Sequence, residues 1–133
     1  MSTQIILVAA PNRNADRGSV FLINSSLTEP LLLWEGALEG EEMGHEILIH
    51  DINDDGQPDV IVGAPKNSIN NTESGAVYVA LGPVVAGYWD AIFYGSEALE
   101  HAGQSIAPKH QGFWVGTTGY SSSKGAVWNF TWQ

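Results

Sequence analysis

The chain repeats itself, and that repeat limits the fold more than any other feature. Ile5-Ile6-Leu7-Val8-Ala9-Ala10-Pro11 is followed by Gly18-Ser19-Val20-Phe21-Leu22-Ile23. Asp59-Val60-Ile61-Val62-Gly63-Ala64-Pro65 is followed by Gly75-Ala76-Val77-Tyr78-Val79-Ala80. Phe113-Trp114-Val115-Gly116-Thr117-Thr118 is followed by Gly125-Ala126-Val127-Trp128-Asn129-Phe130. The step from Pro11 to Pro65 is 54 positions and that from Pro65 to Thr118 is 53. A period of this size marks a unit that cannot bury its apolar face alone and must stack on its neighbours.

Each copy is built from short runs. Met43-Gly44-His45-Glu46-Ile47-Leu48-Ile49 precedes the second copy, and Ala102-Gly103-Gln104-Ser105-Ile106-Ala107 precedes the third. Leu31-Leu32-Leu33-Trp34-Glu35-Gly36 and Ala91-Ile92-Phe93-Tyr94-Gly95 lie between units. All are rich in β-branched or aromatic residues and bounded by turn formers, which is how strands read. The 15 Gly and 6 Pro are spread along the chain, as many short strands require. The expected fold is all-β. With strands named A to D, the chain reads B-C-D, A-B-C-D, A-B-C. That is about two and a half four-stranded antiparallel blades of a β-propeller. One domain, 1–133, then divides into a partial blade (1–36), a complete blade (37–95) and a second partial blade (96–133). A two-sheet sandwich also uses many short strands, but it has no need of Gly and Pro at the same repeat positions.

Composition removes several functions. Five basic against 15 acidic residues give a net charge of −10, which repels phosphate backbones and argues against nucleic acid. The chain has no cysteine, so disulfides, thiolate metal sites and thiol nucleophiles are excluded. No apolar run is long enough for a membrane-spanning helix, and Met1 to Gln4 lacks the basic start of a signal peptide. A cytosolic protein, a processed chain and a piece of a longer one all remain open. His45, His50, His101 and His110 fall in no zinc spacing, and no Gly-x-Ser-x-Gly elbow occurs, so catalysis is not expected.

One loop carries chemistry. Asp51-Ile52-Asn53-Asp54-Asp55-Gly56-Gln57-Pro58-Asp59 places side-chain oxygens at loop positions 1, 3, 5 and 9. Ca²⁺ is a hard cation that takes six to eight oxygen ligands. Asp51, Asn53, Asp55 and Asp59 can each supply one, and the carbonyl of Gln57 another. Gly56 permits the sharp turn, Ile52 can point into the sheet, and Asp54 is expected to face solvent. The EF-hand is ruled out because position 12 is Val62 and the flanks are strands. An Asx-rich turn without an ion is the plainer alternative, but four acids within nine positions repel one another unless a cation offsets them. The third copy is a built-in comparison. Gly44 to Gly63 spans 19 positions but Gly103 to Gly116 only 13, so six residues are missing where the acids would stand. Ala107-Pro108-Lys109-His110-Gln111-Gly112 is expected to form a loop there that binds no calcium.

Gly44, the acidic loop, Gly63-Ala64-Pro65 and Gly75-Ala76-Val77-Tyr78-Val79 together resemble the FG-GAP repeat of integrin alpha-chain β-propellers and their microbial relatives. Met43 stands where that pattern has Phe, and the resemblance is strongest from Gly36 to Leu81. It implies calcium in the loop between strands A and B, held by Asp51, Asn53, Asp55, Gln57 and Asp59, in a structural role. It also implies an interaction, adhesion or scaffolding module, extracellular or at the cell surface. A carbohydrate-binding propeller is the alternative, since Trp34, Trp89, Trp114, Trp128 and Trp132 could stack on sugars. An incomplete ring leaves the outer faces of its first and last blades open, so several copies could close it, with a neighbour lending the missing strands. A fragment of a larger propeller would show the same open faces.

Overall fold

A computed structural model describes residues 5–132. Ten strands form three antiparallel sheets in chain order. The first sheet joins β1 (Ile5–Ala10), β2 (Ser19–Asn24) and β3 (Leu31–Glu35). The middle sheet joins β4 (Glu46–His50), β5 (Asp59–Ala64), β6 (Ala76–Ala80) and β7 (Ala91–Tyr94). The third joins β8 (Ser105–Lys109), β9 (Gly112–Thr117) and β10 (Ala126–Thr131). A left-handed turn, α1 (Arg13–Asp16), in which Asn14, Ala15 and Asp16 have φ of 55°, 58° and 57°, and a single helical turn, α2 (Tyr120–Ser123), sit in the connections before β2 and before β10. Each sheet runs strand to neighbouring strand without a crossover, so every blade is a meander. The ring is not closed.

Burial follows from the stacking. All six residues of β5 and all five of β6 are buried, because the middle sheet is covered on both faces. Such strands read as continuous apolar runs rather than alternating ones. In β10 half-buried and exposed residues alternate instead, so only one face of the third sheet meets another layer. Two apolar cores result. One lies between the first and middle sheets, around Val20, Trp34, Val60, Val62 and Tyr78. The other lies between the middle and third sheets, around Ile61, Val77, Val79, Phe113 and Val115. Exposed positions on the outer sheets include Ile6, Val8, Leu32, Trp114 and Val127, among the described residues.

The repeat glycines allow the blades to approach. A Cβ on Gly63 would stand 2.2 Å from the Gly103 carbonyl oxygen, so any side chain there forces the second and third blades apart. Met43, where the family pattern has Phe, is 1% exposed at the junction of the first two blades. Its flexible thioether can fill an irregular gap there.

One local expectation needs correction. The segment 107–112 does not form a loop. Ala107, Pro108 and Lys109 belong to β8 and Gly112 to β9, paired Lys109 to Gly112, which leaves only His110 and Gln111 as the turn. Six missing residues leave just enough chain for a tight hairpin. Pro108 is tolerated because β8 is an edge strand. Among the described residues all ten strands pair within their own sheets.

Candidate metal site and the blade junctions

The acidic loop joins β4 to β5. Its side-chain oxygens turn back onto the loop's own backbone. The Asp55 amide donates to Asp51 Oδ1 and Asn53 Oδ1, both at 3.3 Å. The Gly56 amide donates to Asp51 Oδ2 at 2.8 Å, and the Gln57 amide to Asp55 Oδ1 at 2.9 Å. Successive Asx turns of this kind wind the chain around its acids. Gly56 adopts φ +84° with open space around it, and Asp54 takes φ +58°. Partial desolvation pushes the Asp51 carboxyl up, but the amides of Gly56, Asp55, Asn53 and Asp54 together outweigh it and hold it below the ordinary carboxylate value. Asp51 is therefore ready as an anion.

Asp59 behaves differently. It is fully buried, and each oxygen accepts a backbone N–H at 2.8 Å, Oδ2 from Ile52 and Oδ1 from Gly82. Asp59 thus ties the start of its own loop to the connection after β6. Ile52 is fully buried against Ile61 and Phe113, while Asp54 is exposed. The structure brings Asp51, Asn53 and Asp55 together around three consecutive amides and holds Asp59 at the loop's base. Among the described residues no three acidic or imidazole side chains converge closely enough to hold a metal ion by themselves. The donor set still suits a hard cation. It is all oxygen, and a carboxylate that accepts one N–H per oxygen keeps lone pairs for a further ligand.

The blade junctions hold polar groups that the sequence did not point to. Glu41, in the connection from β3 to β4, is fully buried. Its Oε1 accepts from Asn67 Nδ2 at 2.7 Å and from the Tyr78 hydroxyl, and its Oε2 accepts the Leu38 amide. Burial pushes the Tyr78 phenol up, and the charge of Glu41 and the hydrogen bond to it push further in the same direction. Glu100 is the repeat equivalent of Glu41, five positions after Gly95 and three before Gly103, as Glu41 stands to Gly36 and Gly44. Its Oε2 accepts the amides of Ser96 and Glu97 at 2.7 and 2.9 Å. Its Oε1 is buried with no partner among the described residues, because Trp128 stands where the second copy has Tyr78. The shared spacing from the connector glycines was the one signal that could have revealed both acids.

The histidines do not gather. His45 Nε2 meets Gln104 Nε2 at 2.9 Å, His50 Nε2 meets the Lys109 carbonyl at 2.8 Å, and His101 Nδ1 lies 3.4 Å from the Thr118 hydroxyl. His110 Nε2 stands 3.7 Å from Asp54, so the tight turn of the third blade borders the acidic loop of the second. The tryptophans mostly pack inward. Trp34 stacks on Trp89 with ring centroids 4.2 Å apart, and its indole N–H donates to the Tyr88 carbonyl. Trp89 also leans on Tyr78, while Trp128 and Trp132 pack against the second core. Trp114 presents an exposed ring.

Comparison with known proteins agrees with this architecture. Residues 44–80 match the FG-GAP repeat, a segment that runs from the connector glycine through the acidic loop to the end of β6. Integrin alpha-PS3 of Drosophila melanogaster is 32% identical over 81 residues, covering 58% of this chain and 7% of that protein. Integrin alpha-8 of Mus musculus is 28% identical over 112 residues, covering 80% of this chain and 10% of that protein. The chain thus spans a tenth or less of the length of these curated relatives. Residues 44–80 thus carry an FG-GAP repeat, and the chain around them is similar to integrin alpha chains.

Proposed function

We propose that this chain is a calcium-stiffened interaction module, adhesive or scaffolding in use, without catalysis, placed outside the cell or on its surface. Its partners are protein surfaces, including other propeller blades. The observation that carries the calcium reading is the inward curl of Asp51, Asn53 and Asp55 on the middle blade. Their side chains, Asp59 and the Gln57 carbonyl would hold the ion. Bound calcium supplies positive charge that offsets the repulsion among four neighbouring acids. The protein's own residues supply the frame. Ile52 anchors the loop in the second core, and Asp59 fastens both of its ends to backbone amides. The tight turn of the third blade lacks these acids, which fits a structural ion for one blade rather than a working site.

Thermal melting tests this. An ion that binds only the folded chain stabilises it by about 2.7 kcal/mol at a hundredfold excess over its dissociation constant. For a chain of this size that is roughly 10 °C of melting temperature. Calcium should raise the midpoint of the wild type, chelator should reverse the rise, and Asp55→Ala should respond to neither. An unchanged midpoint under chelator would sink the calcium assignment.

A further inference from the structure

We infer that the junction of the second and third blades binds a buried water molecule on Glu100 Oε1, standing in for the donors that Tyr78 and Asn67 supply to Glu41 at the junction before it. The inference rests on the repeat and not on calcium. Glu100 is 0% exposed. Its Oε2 is well supplied, by the amides of Ser96 and Glu97 at 2.7 and 2.9 Å and the Ser96 hydroxyl at 3.4 Å. Its Oε1 is buried with no donor among the described residues. Glu41 shows what such an oxygen accepts. Its Oε1 takes the Asn67 side-chain amide and the Tyr78 hydroxyl.

The sequence explains why the third blade supplies neither donor. Tyr78 pairs with Val62 and Trp128 with Val115, so Trp128 holds the place of Tyr78. An indole carries no hydroxyl at the far end of its ring. Asn67 lies in the connection from Gly63 to Gly75, which spans 12 positions, while Gly116 to Gly125 spans 9. Counting in from either glycine, the place of Asn67 falls on Tyr120 or on Thr117. Thr117 turns its hydroxyl to the Ala126 carbonyl, and Tyr120 sets its ring edge-on to Trp128. The shorter connection closes over the acid. The Gly119 amide donates to the Glu100 carbonyl at 3.1 Å, and the Ser121 amide to Glu97 Oε2 at 2.8 Å. A carboxylate oxygen sealed in without a donor is costly, and buried waters are found where such groups need partners. Water is the smallest donor that can replace a hydroxyl, and a bridging water serves nearly as well as a direct hydrogen bond. A hard cation is a poorer occupant, because it takes several oxygens and no three acidic or imidazole side chains gather among the described residues.

A high-resolution crystal structure of the 133-residue chain tests the inference. An ordered water should lie about 2.7–2.8 Å from Glu100 Oε1, with at least one further polar partner. Trp128→Tyr, its folding checked by circular dichroism, should carry the new hydroxyl onto Glu100 Oε1 and expel that water. The inference is overturned by an Oε1 with no density in hydrogen-bond reach, by a protein group seated there, or by a metal ion recognised from short contacts to several oxygens. A new hydroxyl that turns elsewhere while the water stays overturns the claim that the water stands in for the phenol. If Trp128→Tyr does not fold, the wild-type structure decides alone. Melting with chelator reads the calcium site separately, so either idea can fail without the other.

Discussion

The buried Glu41–Asn67–Tyr78 cluster at the first blade junction makes Tyr78→Phe an informative perturbation. Phenylalanine keeps the ring, its packing against Trp89 and nearly all of its volume, so no cavity opens. Only the hydroxyl is lost, which leaves Glu41 Oε1 with Asn67 as its partner. A hydrogen bond to a charged acceptor is worth about 1.5–3 kcal/mol. The expected loss is about 2 kcal/mol, or roughly 6–10 °C in melting temperature for a chain of this length. The variant carries a second signature at alkaline pH. The folded phenol holds its proton more tightly than the unfolded one, first through burial and then through Glu41. The contribution of Tyr78 is therefore fully present below about pH 10, the ordinary tyrosine value, and declines above it as the unfolded chain sheds the proton first. Tyr78→Phe should lose that part of the alkaline decline. Urea unfolding at pH 7.5 and at pH above 10 measures both effects. A neutral-pH loss under about 0.5 kcal/mol, or an identical alkaline decline in the two proteins, would refute the junction cluster as a stabilising tie.

The two anchoring roles in the acidic loop should separate under chelator. Asp59→Ala leaves the buried amides of Ile52 and Gly82 without acceptors and should cost roughly 2–5 kcal/mol in urea unfolding with no calcium present, whereas Asp55→Ala, on an exposed side chain, should cost under about 1 kcal/mol there. Gly63→Ala drives a Cβ onto the Gly103 carbonyl and should destabilise by about 3 kcal/mol, seen as a lower urea midpoint with unchanged slope.

Much of the architecture was legible because it rests on periodicity. β5 and β6 are continuous apolar runs between turn residues, and the recurrence of Gly63 as Gly116 is enough to align the second and third sheets. The exposed outer faces followed from the same count. The local errors came where tertiary packing overrides local pattern. Pro108 looks like a loop residue, yet an edge strand needs no amide at that position. The anchoring role of Asp59, fully buried with each oxygen accepting a backbone amide, was likewise not visible in the spacing of the acids. Glu41 and Glu100 stayed hidden because carboxylates are ordinarily surface groups. Only the partners that Tyr78 and Asn67 bring from a strand and a loop far along the chain make Glu41 tolerable inside.

Calorimetric titration of calcium into the purified chain tests the proposed metal site most directly. The oxygen donors of Asp51, Asn53, Asp55, Gln57 and Asp59 predict one ion per chain, with binding abolished in Asp55→Ala. Absence of binding heat in the wild type together with unchanged melting, a stoichiometry other than one, or an Asp55→Ala variant that binds as tightly as wild type would contradict it.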